Sequence, residues 1–135
     1  MSHKRCRFKC DKLVRDRVIE IMHSHNIDIV SRNMDQAEFV ERLKAKLIEE
    51  SKEVFKAQTP DEVLEEAGDV MEVLMTLIKS HGFSMQDLES KRLLKKAEKG
   101  GFETCLYCEY IEMDSDNPRI HYYSEKPEEY PEVIL

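Results

Sequence analysis

Glu49-Glu50-Ser51-Lys52-Glu53 and Glu66-Ala67-Gly68-Asp69 are the stretches whose reading decides the fold. Each holds a carboxylate pair spaced i, i+3, Glu50 with Glu53 and Glu66 with Asp69, inside a helical pattern. That spacing sets both members of a pair on one helix face, a turn apart. On the first helix the apolar row runs Leu43, Leu47, Val54, and Glu50 takes the slot between. On the second, the row Val63, Val70, Leu77 has Glu66 in its i+3 slot. Acids on a row that faces a core are costly unless something compensates them. Four acids converging from two packed helices call for a cation, and hard oxygen donors suit Mg²⁺ or Mn²⁺. Glu is a good helix former and one Glu-x-x-Glu is ordinarily solvated surface. Two such pairs on consecutive helices, both intruding on apolar rows, favour metal over surface.

Working outward, Asp11 reads as an N-cap and Lys12 to His25 as a first helix, with Leu13, Val14, Val18, Ile21 and Met22 as its apolar stripe. Lys12, Arg15 and Asp16 sit away from that stripe. Two cations near a helix N-terminus oppose the dipole, which favours a functional role for them. Asn26 stops the helix and Ile27 to Arg32 is a short extended link. Asp35-Gln36-Ala37-Glu38 forms a capping box for a second helix ending near Gln58. Thr59-Pro60-Asp61-Glu62 opens a third, with Thr59 as cap and Pro60 in the first position; it runs to His81 and stops at Gly82. Its second half, Val70 to Ile78, is apolar on nearly every face, so a homodimer or higher homo-oligomer with this helix near the interface is expected. Ser84 opens a fourth helix that ends at Gly100-Gly101 and grows basic through Lys91, Arg92, Lys95, Lys96 and Lys99. Thr104 to Met113 and Arg119 to Tyr123 then read as two strands around a turn at Asp114 to Pro118, and Val133, Ile134 and Leu135 as an extended packed tail. The expected fold is mainly α. Residues 1–102 form a four-helix bundle, and residues 103–135 a C-terminal β-hairpin and tail packed on the same domain.

At 135 residues the chain is long enough for one domain with a core. A net charge of -7 argues against a nucleic-acid polymer as partner, while metal ions let an acidic protein bind a small polyphosphate. No apolar run reaches the length of a membrane span, and Met1 to Arg5 is charged where a signal peptide is apolar, so the expected location is cytoplasmic. Cys6, Cys10, Cys105 and Cys108 are then free thiols, with a Cys₄ zinc site as the lesser alternative.

The acids select the chemistry. Di-iron bundles use Glu-x-x-His pairs, whereas the i+3 partners here are Glu53 and Asp69, which disfavours iron. No Gly-x-x-x-x-Gly-Lys-Ser/Thr loop and no Gly-x-Ser-x-Gly elbow is present. Mg²⁺-assisted attack of water on a phosphoanhydride fits, with Glu50 or Glu53 taking a proton and Lys12 and Lys95 steadying phosphate charge. The alternatives are a non-catalytic helical interaction module, whose acids are only solvated or paired, and a zinc-stabilised adaptor built on the cysteines.

With those residues in view, the chain resembles the all-α nucleotide pyrophosphohydrolases, the MazG and phosphoribosyl-ATP pyrophosphohydrolase-like superfamily. The match lies in Glu49-Glu50-x-x-Glu53, Glu66-x-x-Asp69, Lys12-Leu13-Val14-Arg15-Asp16 and Gly100-Gly101-Phe102, in the order of the "KLVRD" branch. The resemblance covers about residues 11 to 102 and implies an oligomeric helical bundle that hydrolyses a nucleoside triphosphate, or a related nucleotide, to monophosphate and pyrophosphate. It implies Mg²⁺ held by Glu50, Glu53, Glu66 and Asp69, with Lys12, Arg15 and Asp16 near the site and Lys95 and Lys99 on phosphate. Relatives often carry Arg before Gly-Gly-Phe; Lys99 in its place lacks Arg's bidentate contact.

Overall fold

The turn at residues 57–59 sets the architecture. Thr59 Oγ1 accepts a hydrogen bond from the Glu62 amide at 3.2 Å, and Glu62 Oε2 reaches back to accept from the Gln58 amide at 2.8 Å. Pro60 occupies the first turn, where its missing N–H costs nothing. A connection this short folds α2 (Gln36–Lys56) back along α3 (Pro60–Ser80) as a helical hairpin. At the far end Gln36 Nε2 donates to the Ser80 carbonyl at 3.2 Å, so the start of α2 meets the end of α3. The computed structural model describes residues 4–134; Met1 to His3, used above only for targeting, and Leu135, expected in the packed tail, lie outside them.

The remaining elements are α1 (Val18–Ser24), α4 (Met85–Lys99) and α5 (Ile120–Ser124). Helix ends follow local chemistry. Asp35 accepts from the Glu38 amide at 2.8 Å, but the Glu38 side chain pairs with Arg32 instead of closing the expected box. Ser84 and Asp87 do close one reciprocally, at 3.1 and 2.8 Å. Asn26 and Gly82 both take positive φ, 61° and 82°, where α1 and α3 stop.

Three expectations are corrected. The four-helix bundle is absent: α2 and α3 are the one pair of helices packed closely together among the described residues. Leu43, in α2, is the one buried core residue among the described residues. The second half of α3 is half-buried, not enclosed, and Met71 is exposed. Leu93 and Leu94 of α4 also stay exposed. Next, residues 12–17 are not helical; α1 begins at Val18, and Arg17, not Asp11, precedes it. Asp11 itself adopts φ 52°, a left-handed conformation that breaks a helix.

The β-hairpin is the third correction, since no strand occurs among the described residues. Residues 105–113 carry no regular structure, and Arg119 to Tyr123 mostly falls in α5. Asn117 Oδ1 accepts from the Arg119 amide at 2.9 Å, and Asn117 O from the Ile120 amide at 3.0 Å. That Asx turn, with Pro118 next, winds the chain into a helical turn and overrides the β-branched and aromatic residues. In the tail, Val133 and Ile134 are exposed.

Two compact units result, Met1–Glu98 and Lys99–Leu135. In the second, Tyr123 packs edge-on to Tyr122 and Tyr130, and Lys126 Nζ lies 3.8 Å from the centre of the Tyr122 ring. A hydrogen bond and the charge of Glu129 push the Tyr130 hydroxyl up to about 12. No helix among the described residues is long and apolar enough to cross a membrane.

Candidate metal centre

Glu50 comes from the middle of α2, and Glu66 and Asp69 from the second and third turns of α3. The hairpin register brings one oxygen of each to within 4.8 Å of the others, and all three residues are half-buried. Among the described residues this is the one group of His, Cys, Asp and Glu side chains that meets as a metal site would require. Three carboxylates from rigid helices present hard anionic oxygens on one spot, a donor set matched to Mg²⁺ or Mn²⁺.

The protonation of Glu66 records the crowding. Desolvation raises its proton affinity above the ordinary carboxylate range, and Asp69, Glu53 and Glu50 add to the rise by their charge. Glu53 is not one of the three converging groups; it is exposed, yet near enough for its charge to bear on Glu66.

Two cations reach the acids from the non-helical segment before α1. Arg15 Nη2 donates to Asp69 Oδ1 at 2.8 Å, and Lys12 Nζ lies 3.3 Å from Glu49 Oε1. An unbroken helix from Lys12 would have aimed both on one face, three residues apart. The open segment instead sends Lys12 to α2 and Arg15 to α3. Asp16, Lys95 and Lys99 are exposed and form no ion pair among the described residues. The zinc expectation finds no support. Cys6, Cys10, Cys105 and Cys108 are all exposed free thiols, outside the one metal-capable group among the described residues.

Sequence reasoning missed Glu49 and Lys46 as parts of the site. Lys46 Nζ lies 3.4 Å from Glu49 and 3.5 Å from Glu50, and both Lys46 and Glu50 are largely covered, at 19% and 15% side-chain exposure. Partial burial pushes the Glu49 carboxyl up, but the Lys12 hydrogen bond and the charges of Lys46 and Lys12 outweigh it and hold the group below its usual range. The signal was present as Lys at i with Glu at i+3 and i+4, a spacing common enough on helix surfaces to pass unnoticed.

The family model for phosphoribosyl-ATP pyrophosphohydrolase matches residues 16–95, more than half of the chain. The chain belongs to the phosphoribosyl-ATP pyrophosphohydrolase family. Search of curated proteins and of solved structures returns no match. Within this pyrophosphohydrolase-family chain the matched span includes α1, α2, α3 and most of α4, and with them Glu50, Glu53, Glu66 and Asp69. It begins at Asp16, so Lys12 and Arg15 lie outside the match although the structure sets both against the acids. Pyrophosphohydrolase family membership and an acidic helical site thus coincide on the same residues.

Proposed function

We propose that this chain hydrolyses a nucleotide at a phosphoanhydride bond, releasing pyrophosphate and leaving a monophosphate, at the Glu50–Glu66–Asp69 site. The convergence of those three carboxylates carries the reading. Their donor set fits a divalent cation, Mg²⁺ or Mn²⁺, which supplies neutralisation of phosphate oxygens and of the departing pyrophosphate when bound. Glu50, Glu66 and Asp69 hold it. Glu53, one turn beyond Glu50 and exposed, accepts a proton from the attacking water; Glu50 is the other carboxylate placed for that task. The water oxygen bonds to phosphorus as the bridging oxygen leaves with the pyrophosphate.

Arg15 and Lys12 supply cationic charge beside the acids, and Arg15's planar fork suits a phosphate once it leaves Asp69. Lys95 and Lys99, exposed and unpaired among the described residues, serve the remaining phosphate charge, and Asp16 stays at the margin of the substrate site. A nucleoside triphosphate and phosphoribosyl-ATP both offer such an anhydride, so the chemistry accepts either. A homo-oligomer fits the large apolar side chains left open on α2 and α3, Ile48, Phe55, Leu64 and Met71. The test is pyrophosphate release from a panel of nucleoside triphosphates and phosphoribosyl-ATP, with Mg²⁺ or with EDTA. Release from at least one substrate, abolished by EDTA and by Asp69→Asn, is expected. No release from any substrate with Mg²⁺ or Mn²⁺ present overturns the reading.

A further inference from the structure

Lys12, Glu49, Lys46 and Glu50 form a continuous chain of alternating charge, with successive separations of 3.3, 3.4 and 3.5 Å. It runs from the segment before α1, across α2, to the carboxylate that faces Glu66 and Asp69. From this geometry we infer that Lys46 is a positioning residue for the metal site, fixing Glu50 on its partners from α3. The inference rests on the proposed function, since it assigns a role toward the same cation.

The physical case begins with repulsion. Glu50 shares a space under 4.8 Å across with two other acids, so with no restraint its flexible side chain relieves the repulsion by swinging outward. Lys46 is one turn back on the same helix and shares its ammonium between Glu49 and Glu50. Glu49 is itself held from the other side by Lys12, so the ammonium is braced and cannot simply follow Glu50 outward. Ordinary i, i+4 pairs on a helix surface are screened and do little. This one is largely covered at both ends, which reduces screening and restricts the rotamers of both side chains.

Position and charge predict opposite signs, and that makes the role testable. If Lys46 acted only through its charge, removing it would leave the site more negative and a divalent cation would bind more tightly. If Lys46 acts by holding Glu50 in place, removing it weakens binding. Groups that orient metal ligands typically contribute about 10- to 100-fold in metal affinity or activity.

The experiment is titration of the full chain with Mn²⁺ alone, read by calorimetry and by the electron paramagnetic resonance of free Mn²⁺. It uses wild type, Lys46→Met, Lys46→Arg and Glu50→Gln. Wild type is expected to bind, Lys46→Met to bind roughly 10- to 100-fold more weakly, and Lys46→Arg to recover most of the loss. Glu50→Gln tests the site itself and is expected to lose binding. Equal or tighter binding by Lys46→Met overturns the positioning role while leaving the proposed function intact. Wild type that binds no Mn²⁺ overturns both. Should Lys46→Met be unfolded by circular dichroism, Lys46→Gln against Lys46→Arg gives the same comparison: weak binding by the first and restored binding by the second support the role, and equal affinities refute it.

Discussion

The α2 side of the site and its α3 side carry the same chemical group under opposite conditions. On α2, Glu49 lies between Lys12 and Lys46 and holds its charge below the usual range. On α3, Glu66 resists ionisation because it is partly desolvated and carries the added charge of Asp69, Glu53 and Glu50 nearby. Composition cannot separate these two residues, because both are glutamates on helices rich in them. The difference lies in which neighbours the hairpin register supplies. Glu49 has two cationic partners within the protein, and Glu66 has none among the described residues.

The largest expected effect breaks that contrast on α3. Glu66→Gln or Asp69→Asn should lower pyrophosphate release by at least about 100-fold at saturating nucleotide, because the proposed cation site loses a ligand. Glu49→Gln, measured in the same assay, should cost about tenfold or less, since it only loosens the support behind Glu50. Equal losses at positions 49 and 66 would erase the distinction between the two sides.

A pH titration of stability gives a smaller and more direct reading. The folded chain holds a proton on Glu66 above the ordinary 4.5, where the unfolded chain has lost it. Stability contributed by this residue therefore falls as pH rises through the window above 4.5. Glu49 has the opposite sign: its contribution is present above the ordinary value and lost as pH falls through it. In thermal melts with EDTA, Glu66→Gln should raise Tm at neutral pH, and the gain should shrink towards pH 4.5. Mn²⁺ should raise the Tm of wild type and leave that of Glu66→Gln nearly unmoved. The smallest effect is a control. Thr59→Ala removes the cap on α3 and should cost about 1 kcal/mol in denaturant unfolding, with the affinity for Mn²⁺ little changed.

How much of this was legible in the sequence depended on the range of the deciding interactions. Thr59-Pro60, Ser84-Asp87 and Gly82 fixed helix ends because caps and stops act within three residues. The acid cluster was legible because two carboxylates broke two apolar rows at helical spacing. Lys12 to Arg17 misled, since its apolar periodicity suits a helix while its cations pair with acids more than thirty residues away. Arg119 to Tyr123 misled the other way. Its residues favour a strand, but the Asn117 turn and the absence of any pairing strand among the described residues decided the outcome. Lys46 stayed hidden because only the approach of α3 gives Glu50 something to be held against.

Ala57 to Thr59 has a kinetic consequence. Glu50 and Glu66 are only sixteen positions apart along the chain, so closing the loop between them requires little search. The repulsion is met while the two helices first zip together, not after the chain has settled. Divalent cations should therefore accelerate refolding more than they slow unfolding, and stopped-flow traces with and without Mn²⁺ measure both rates.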